Sequence, residues 1–179
     1  KRAIEHCQKQ LALADAIGAR CCVNITGSRG PKWDGPHPDN LTPATFELIV
    51  ETIRAIIDAV KPKRTFWTLE TMPWMYPDSL QSYLQLLDAI DRPGCAAHFD
   101  PVNWINSPQR YFANAALIRD SVRALGPRIK SVHVKDILLG DRLMVHLDEV
   151  RPGLGVLDHA TLLRELALLD RDLPVMLEH

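Results

Sequence analysis

Several things are missing from this chain, and each absence narrows its function. Charge of one sign is not in excess, since 21 basic residues face 22 acidic ones. That leaves no electrostatic reason to expect a nucleic-acid or an anionic-membrane partner. No apolar run approaches the roughly 18 residues that a bilayer-spanning helix needs, and no secretory signal pattern opens the chain. Cys7, Cys21, Cys22 and Cys95 show no C-x-x-C spacing. Three of them sit in strongly apolar contexts, so they read as reduced, buried thiols of a cytoplasmic protein rather than as disulfides. The first βα turn, Asn24–Asp34, has no G-x-G-x-x-G spacing, and the chain has no G-x-x-x-x-G-K-[ST] loop; both absences count against a nucleotide fold.

What the chain does have is alternation of helical and strand patterns, the mark of parallel βα units. Ile4, Cys7, Leu11, Ala14 and Ile17 form a helical stripe that stops at Gly18, a residue suited to a left-handed cap. Arg20–Thr26 reads as a short buried strand, followed by a Gly- and Pro-rich loop. Thr42-Pro43 starts a helix whose buried face carries Phe46, Ile49, Ile53, Ile56 and Val60, and Pro62 ends it. Thr65–Glu70 is the next strand. Ser79 caps a helix with Leu80, Tyr83, Leu84, Leu87 and Ile90 on one side, and Pro93-Gly94 turns into the strand Cys95–Asp100. A helix from Pro108 shows Tyr111, Ala115, Ile118, Val122 and Leu125, and leads to the strand Ile129–Lys135. A long segment, 136–156, precedes a Leu-rich helix capped by Asp158 and the final strand Pro174–Glu178.

Five strands with helical crossovers fit an open doubly wound sheet or a (β/α)8 TIM barrel. The chain begins at Lys1, inside a helical pattern, and stops at His179 where a strand ends, so both ends read as cut. At about 30 residues per unit, a barrel of about 250 residues would lack about three βα units at the N-terminus. The expectation is therefore an α/β fold, a truncated TIM barrel, forming a single partial domain over residues 1–179. Without the missing strands such a piece exposes sheet edges and tends to associate; a homo-oligomer stays open.

Four strands end in a residue able to hold a metal: Glu70, Asp100, His133 and Glu178, separated by 30, 33 and 45 positions. In parallel α/β folds the strand C-termini open onto one side, where active sites lie, so these side chains can converge. Leaving three carboxylates buried without partners would be costly. Oxygen ligands with one imidazole suit a single divalent ion, Mn²⁺, Mg²⁺ or Co²⁺, with Zn²⁺ also within reach. His98 lies two residues before Asp100, on the same strand face, either near the metal or as a packed histidine. Lys135 shares a face with His133. Lys135 or Asp136 can bind a hydroxyl or phosphate, or form a local salt bridge. Asn24 is a polar residue in an apolar strand and is expected to face the barrel mouth. Trp33, Trp74 and Trp104 lie in loops after strands, where rings can stack on a sugar or pack on the rim.

With LE at 69–70, FDPVN at 99–103, HVKD at 133–136, RPGLG at 151–155 and LEH at the terminus, the chain resembles the xylose-isomerase-like TIM barrels. That family of sugar phosphate isomerases and epimerases includes ketose 3-epimerases, inosose dehydratases and endonuclease IV. The resemblance implies that Glu70, Asp100, His133 and Glu178 coordinate one metal, and that Glu70 and Glu178 also act as the acid/base pair. A proton would leave a carbon beside a carbonyl and return elsewhere through an enediolate. It also implies a substrate-facing position for Arg151 before Pro-Gly-Leu-Gly, where a guanidinium suits an anionic group. Asn103 stands where ketose epimerases carry a substrate-binding His, which weakens transfer of that specificity. Leu147 and Glu149 replace the D-x-H pair of the three-metal nuclease, so a phosphodiesterase site is not expected.

The resulting expectation is a metal-dependent isomerase or epimerase of a sugar, keto-sugar or related polyol, acting in the cytoplasm on a small molecule. The alternative is a lyase on a keto-inositol or 3-keto-glycoside with the same site. A non-catalytic binding subunit is the reading outside enzymology.

Overall fold

The computed structural model describes residues 2–178. They cluster into two compact units that divide between His98 and Phe99.

In the first unit, helix α1 (Arg2–Ile17) precedes strand β1 (Cys21–Asn24), helix α2 (Pro43–Val60), strand β2 (Phe66–Glu70), helix α3 (Leu80–Ile90) and strand β3 (Cys95–Phe99), whose last residue, Phe99, is counted with the second unit. The three strands are parallel, with Asn24 beside Leu69 and Glu70 beside His98. The helices begin where the sequence places them. Thr42 accepts the Thr45 amide, with Pro43 in the first turn. Ser79 and Ser82 form a reciprocal capping box. Each such cap is worth about 1 kcal/mol. Lys61 and Asp91 end α2 and α3 in the left-handed conformation. Arg54 of α2 donates to the carbonyls of Ala89 and Ile90 at 2.6 and 3.1 Å, where a cation meets the unsatisfied end of α3. Ile49, Ile53, Ile56 and Ile57 of α2 are buried with Leu11, Trp67, Leu69, Leu86 and Ile90.

The second unit contains helices α4 (Pro108–Phe112) and α5 (Asn114–Leu125), strands β4 (Ile129–Val134), β5 (Asp136–Leu139) and β6 (Leu147–Val150), helix α6 (His159–Leu166) and strand β7 (Val175–Leu177). β4 and β7 pair in parallel, His133 beside Met176. Helices α5 and α6 pack together, burying Ile118, Val122, Leu125, Leu162 and Leu166. Asp158 caps α6 by accepting the Thr161 amide at 2.8 Å.

Two features differ from the sequence reading. The helix expected from Pro108 is broken at Ala113. Asn114 Nδ2 donates to the Tyr111 carbonyl at 2.7 Å, a local side-chain bond that competes with the helical ladder. Its Oδ1 accepts the Asp158 amide at 2.8 Å, which ties the break to the start of α6. The segment 136–156 is not simply irregular, because β5 and β6 form an antiparallel hairpin with Asp136 beside Val150. No described helix is long and apolar enough to cross a membrane.

Candidate metal centre

Three of the expected ligands meet in the second unit. Asp100 follows β3 and is fully buried. Its Oδ1 accepts the amides of Val102 at 3.0 Å and Asn103 at 3.4 Å, an Asx turn that orients the carboxylate. Oδ2 then points toward His133 Nδ1 at 4.0 Å. His133 sits near the end of β4, and Glu178 immediately follows β7; His133 Nδ1 lies 3.0 Å from Glu178 Oε2. Parallel pairing carries Glu178 there, since its amide donates to the Val134 carbonyl at 3.1 Å. One donor atom from each of the three lies within 4.8 Å of the others. Ligand atoms held at about 2.1 Å from one ion stand about 3 to 4.2 Å apart, so the 3.0 and 4.0 Å separations suit a shared divalent cation.

A lysine completes the cluster. Lys135 Nζ lies 2.9 Å from Asp100 Oδ2, 2.9 Å from Glu178 Oε2 and 3.1 Å from Glu149 Oε2, with only 5% of its side chain exposed. Burial works to lower its pKa, but the charge of Asp100 and the hydrogen bonds to Glu178, Asp100 and Glu149 outweigh it and hold the ammonium above its usual value. Burial likewise pushes Glu178 up, while hydrogen bonding and charge from Lys135, with help from His133, bring it below the usual carboxylate range. Glu149 reaches the site from β6. The sequence holds no signal for this, because its position depends on the hairpin's register.

Asp136, next in the chain, makes no salt bridge among the described residues. Its carboxylate accepts four backbone amides: Ile137 and Leu157 at Oδ1, both at 2.9 Å, and Gly153 and Gly155 at Oδ2, at 2.9 and 3.0 Å. The RPGLG stretch is thus a loop wrapped around a carboxylate. Arg151 at its start is exposed; its carbonyl accepts the Leu154 amide at 3.2 Å, and no guanidinium bond occurs among the described residues. Asn103 lies beside Asp100 through its own amide. Trp104 is buried, edge-on to Phe99 with centroids 5.7 Å apart, so it belongs to the core rather than to a sugar-stacking surface.

In the first unit, Glu70 ends β2 half-buried and in register with the fully buried His98, and residues paired this way share a sheet face. The buried Tyr83 hydroxyl joins the two strand ends, donating to the Leu69 carbonyl and accepting the His98 amide at 3.1 Å. Asn24 corrects an expectation. It registers with Leu69, one residue away from Glu70, and a one-residue shift reverses the face. Its Nδ2 lies 3.7 Å from Cys7 Sγ on α1. There it lines a mostly apolar cavity of about 320 Å³ with Trp33, Ile53, Trp67 and Leu69. Trp74 donates its indole N–H to the Asp34 carbonyl at 2.8 Å and stays 41% exposed.

A family model described as xylose isomerase-like TIM barrel matches residues 1–179. No significant match to a curated protein sequence was found. Among solved structures, the chain is similar to the probable 3-DHS dehydratase AsbF of Bacillus anthracis, involved in petrobactin synthesis (22% identity, TM-score 0.75, covering 99% of this chain and 64% of that one). It is similar to D-allulose 3-epimerase from Methylomonas sp. (18% identity, TM-score 0.73, 98% and 55%). A third is a xylose isomerase-like TIM barrel protein from Mycobacterium smegmatis in complex with magnesium (14% identity, TM-score 0.75, 99% and 60%). These likenesses establish a TIM-barrel-like α/β fold, and the chain spans 55–64% of the length of these three structures.

Proposed function

The chain belongs to the xylose isomerase-like TIM barrel family, and on that premise we propose that it is a divalent-metal-dependent isomerase or epimerase. Its substrate is a sugar, keto-sugar or related polyol. The observation that carries this reading is the convergence of Asp100 Oδ2, His133 Nδ1 and Glu178 Oε2. Two carboxylates and an imidazole suit Mn²⁺, Mg²⁺ or Co²⁺, and admit Zn²⁺. Glu70 is the fourth ligand in this reading, with residues 1–179 acting as one partial barrel domain.

A bound metal supplies Lewis acidity at a substrate carbonyl and hydroxyl. The chain's own residues do the rest. Glu178, kept ionised by Lys135 and His133, is a base ready to take a proton from the carbon beside the carbonyl. Glu70 enters as the carboxylic acid and delivers its own proton to the substrate carbon, leaving Glu178 protonated until both exchange with solvent, as an acid/base pair requires. Asn103, His98, Lys135, Arg151 and Trp74 are the substrate-binding candidates; Asn24 is withdrawn because of its face. The names of similar structures, a D-allulose 3-epimerase and a magnesium complex, support the sugar and metal parts of this reading. A lyase shares the first step, and likeness to a probable dehydratase keeps it as the second reading.

The test is turnover of the metal-loaded full chain on keto-sugars and inososes in deuterated buffer, followed by NMR. An isomerase or epimerase product gains deuterium with its atoms otherwise retained; a lyase product has lost water or an alcohol. Glu70→Gln and Glu178→Gln should each lower kcat by about 10²-fold or more. Full turnover by both variants with metal retained would remove the acid/base assignment.

A further inference from the structure

Asp100 Oδ2 and Glu178 Oε2 each face the same two nitrogens. His133 Nδ1 lies 4.0 and 3.0 Å from them, and Lys135 Nζ 2.9 Å from both. These are the oxygens that a divalent ion beside His133 would use. Asp100 has little latitude, because its Oδ1 is engaged by the Val102 and Asn103 amides. Lys135 has little either: a buried ammonium needs anionic or hydrogen-bonding partners in place of water. It does have a third partner. Glu149 Oε2, 3.1 Å away, comes from the β5–β6 hairpin and not from a parallel strand, and its side chain is 44% exposed.

We propose that Lys135 is a built-in competitor of the divalent metal for Asp100 and Glu178, and that Glu149 receives its ammonium when the metal takes those oxygens. The inference rests on reading Asp100, His133 and Glu178 as ligands. It assigns Glu149 a role in metal affinity without contact with the metal. The hairpin thereby sets how tightly the site holds its ion. Without Glu149, ejecting Lys135 would strand a buried charge, and the carboxylates would favour the lysine.

The probe is Mn²⁺ binding to the full chain, followed by calorimetry and by loss of the free-ion electron paramagnetic resonance signal. The native chain is compared with Lys135→Met, Glu149→Gln and the double variant. Lys135→Met should tighten Mn²⁺ binding about tenfold, the scale of one charged hydrogen bond. Glu149→Gln should weaken it about threefold to tenfold in the native background and have no effect in the Lys135→Met background, because Glu149 acts only through the lysine. Equal weakening in both backgrounds means that Glu149 acts by its field alone and overturns the exchange. Unchanged affinity in Lys135→Met overturns the competition. Glu149 is partly exposed, so Glu149→Gln tolerates folding and decides by itself: unchanged affinity there also overturns the proposal. A native chain that binds no Mn²⁺ removes the ligand reading and this inference together, an outcome distinct from the others.

Discussion

Gly155 approaches Asp136 so closely that its amide bonds Oδ2 at 3.0 Å, while a Cβ on Gly155 would collide with Oδ1 and with the Ile137 carbonyl. The glycine is required by proximity, with no positive φ involved. Gly155→Ala must open the loop around Asp136 and should cost about 2–4 kcal/mol, in the range of overpacking and lost buried hydrogen bonds. The denaturant midpoint measures it. Gly153 supplies the comparison, since nothing lies within 4 Å of a Cβ there and its strain comes from φ +91° alone.

Acid should unmask the same cluster. Burial pushes the Asp136 carboxyl up, and the amides of Leu157, Ile137, Gly153 and Gly155 more than offset this, leaving it below its ordinary range. A depressed folded-state value stabilises above the unfolded value of about 3.9, and that stability is lost as pH falls through the folded value. Asp136→Asn should therefore be less stable than the native chain by about 2 kcal/mol at neutral pH, with the gap narrowing below about pH 4. Denaturant titrations from pH 7 to pH 3 read this, and a gap that widens on acidification would refute it.

Asn40 is a second buried organiser. It is fully enclosed; its Oδ1 accepts the Arg29 amide at 2.8 Å and the Ser28 hydroxyl at 3.2 Å, and its Nδ2 donates to the Gly35 and Trp74 carbonyls, both at 3.1 Å. Asn40→Ala leaves these groups without partners and should cost about 2–3 kcal/mol. Limited proteolysis should then cut within residues 28–41 faster than in the native chain. Equal cleavage rates would show that the loop is held some other way.

Element boundaries follow from residues that act locally. Thr42, Ser79 and Asp158 cap the helices they precede, and Gly18 leaves α1 at φ +74°. Asp100, His133 and Glu178 were legible because strand ends in a parallel fold share a side. What escaped depended on register. Asn24 could be recognised as polar in an apolar strand, but its face depends on whether it aligns with Leu69 or Glu70, and pairing settles that. Glu149 escaped because strands of four residues, such as Leu147–Val150, carry too few alternations to announce a hairpin. For Trp104 the sequence left stacking and packing open, and a short turn after Asp100 folds the ring back onto Phe99.

The hairpin that brings Glu149 to Lys135 forms a two-stranded sheet of its own among the described residues, β5 against β6, and its tip, Leu143 to Val145, is exposed. Lengthening or exchanging that tip leaves every parallel strand in register. The segment is therefore a graftable module: residues 140–146 can diverge between descendants, or be replaced by an engineer, while the base of the ribbon keeps its charge beside the lysine.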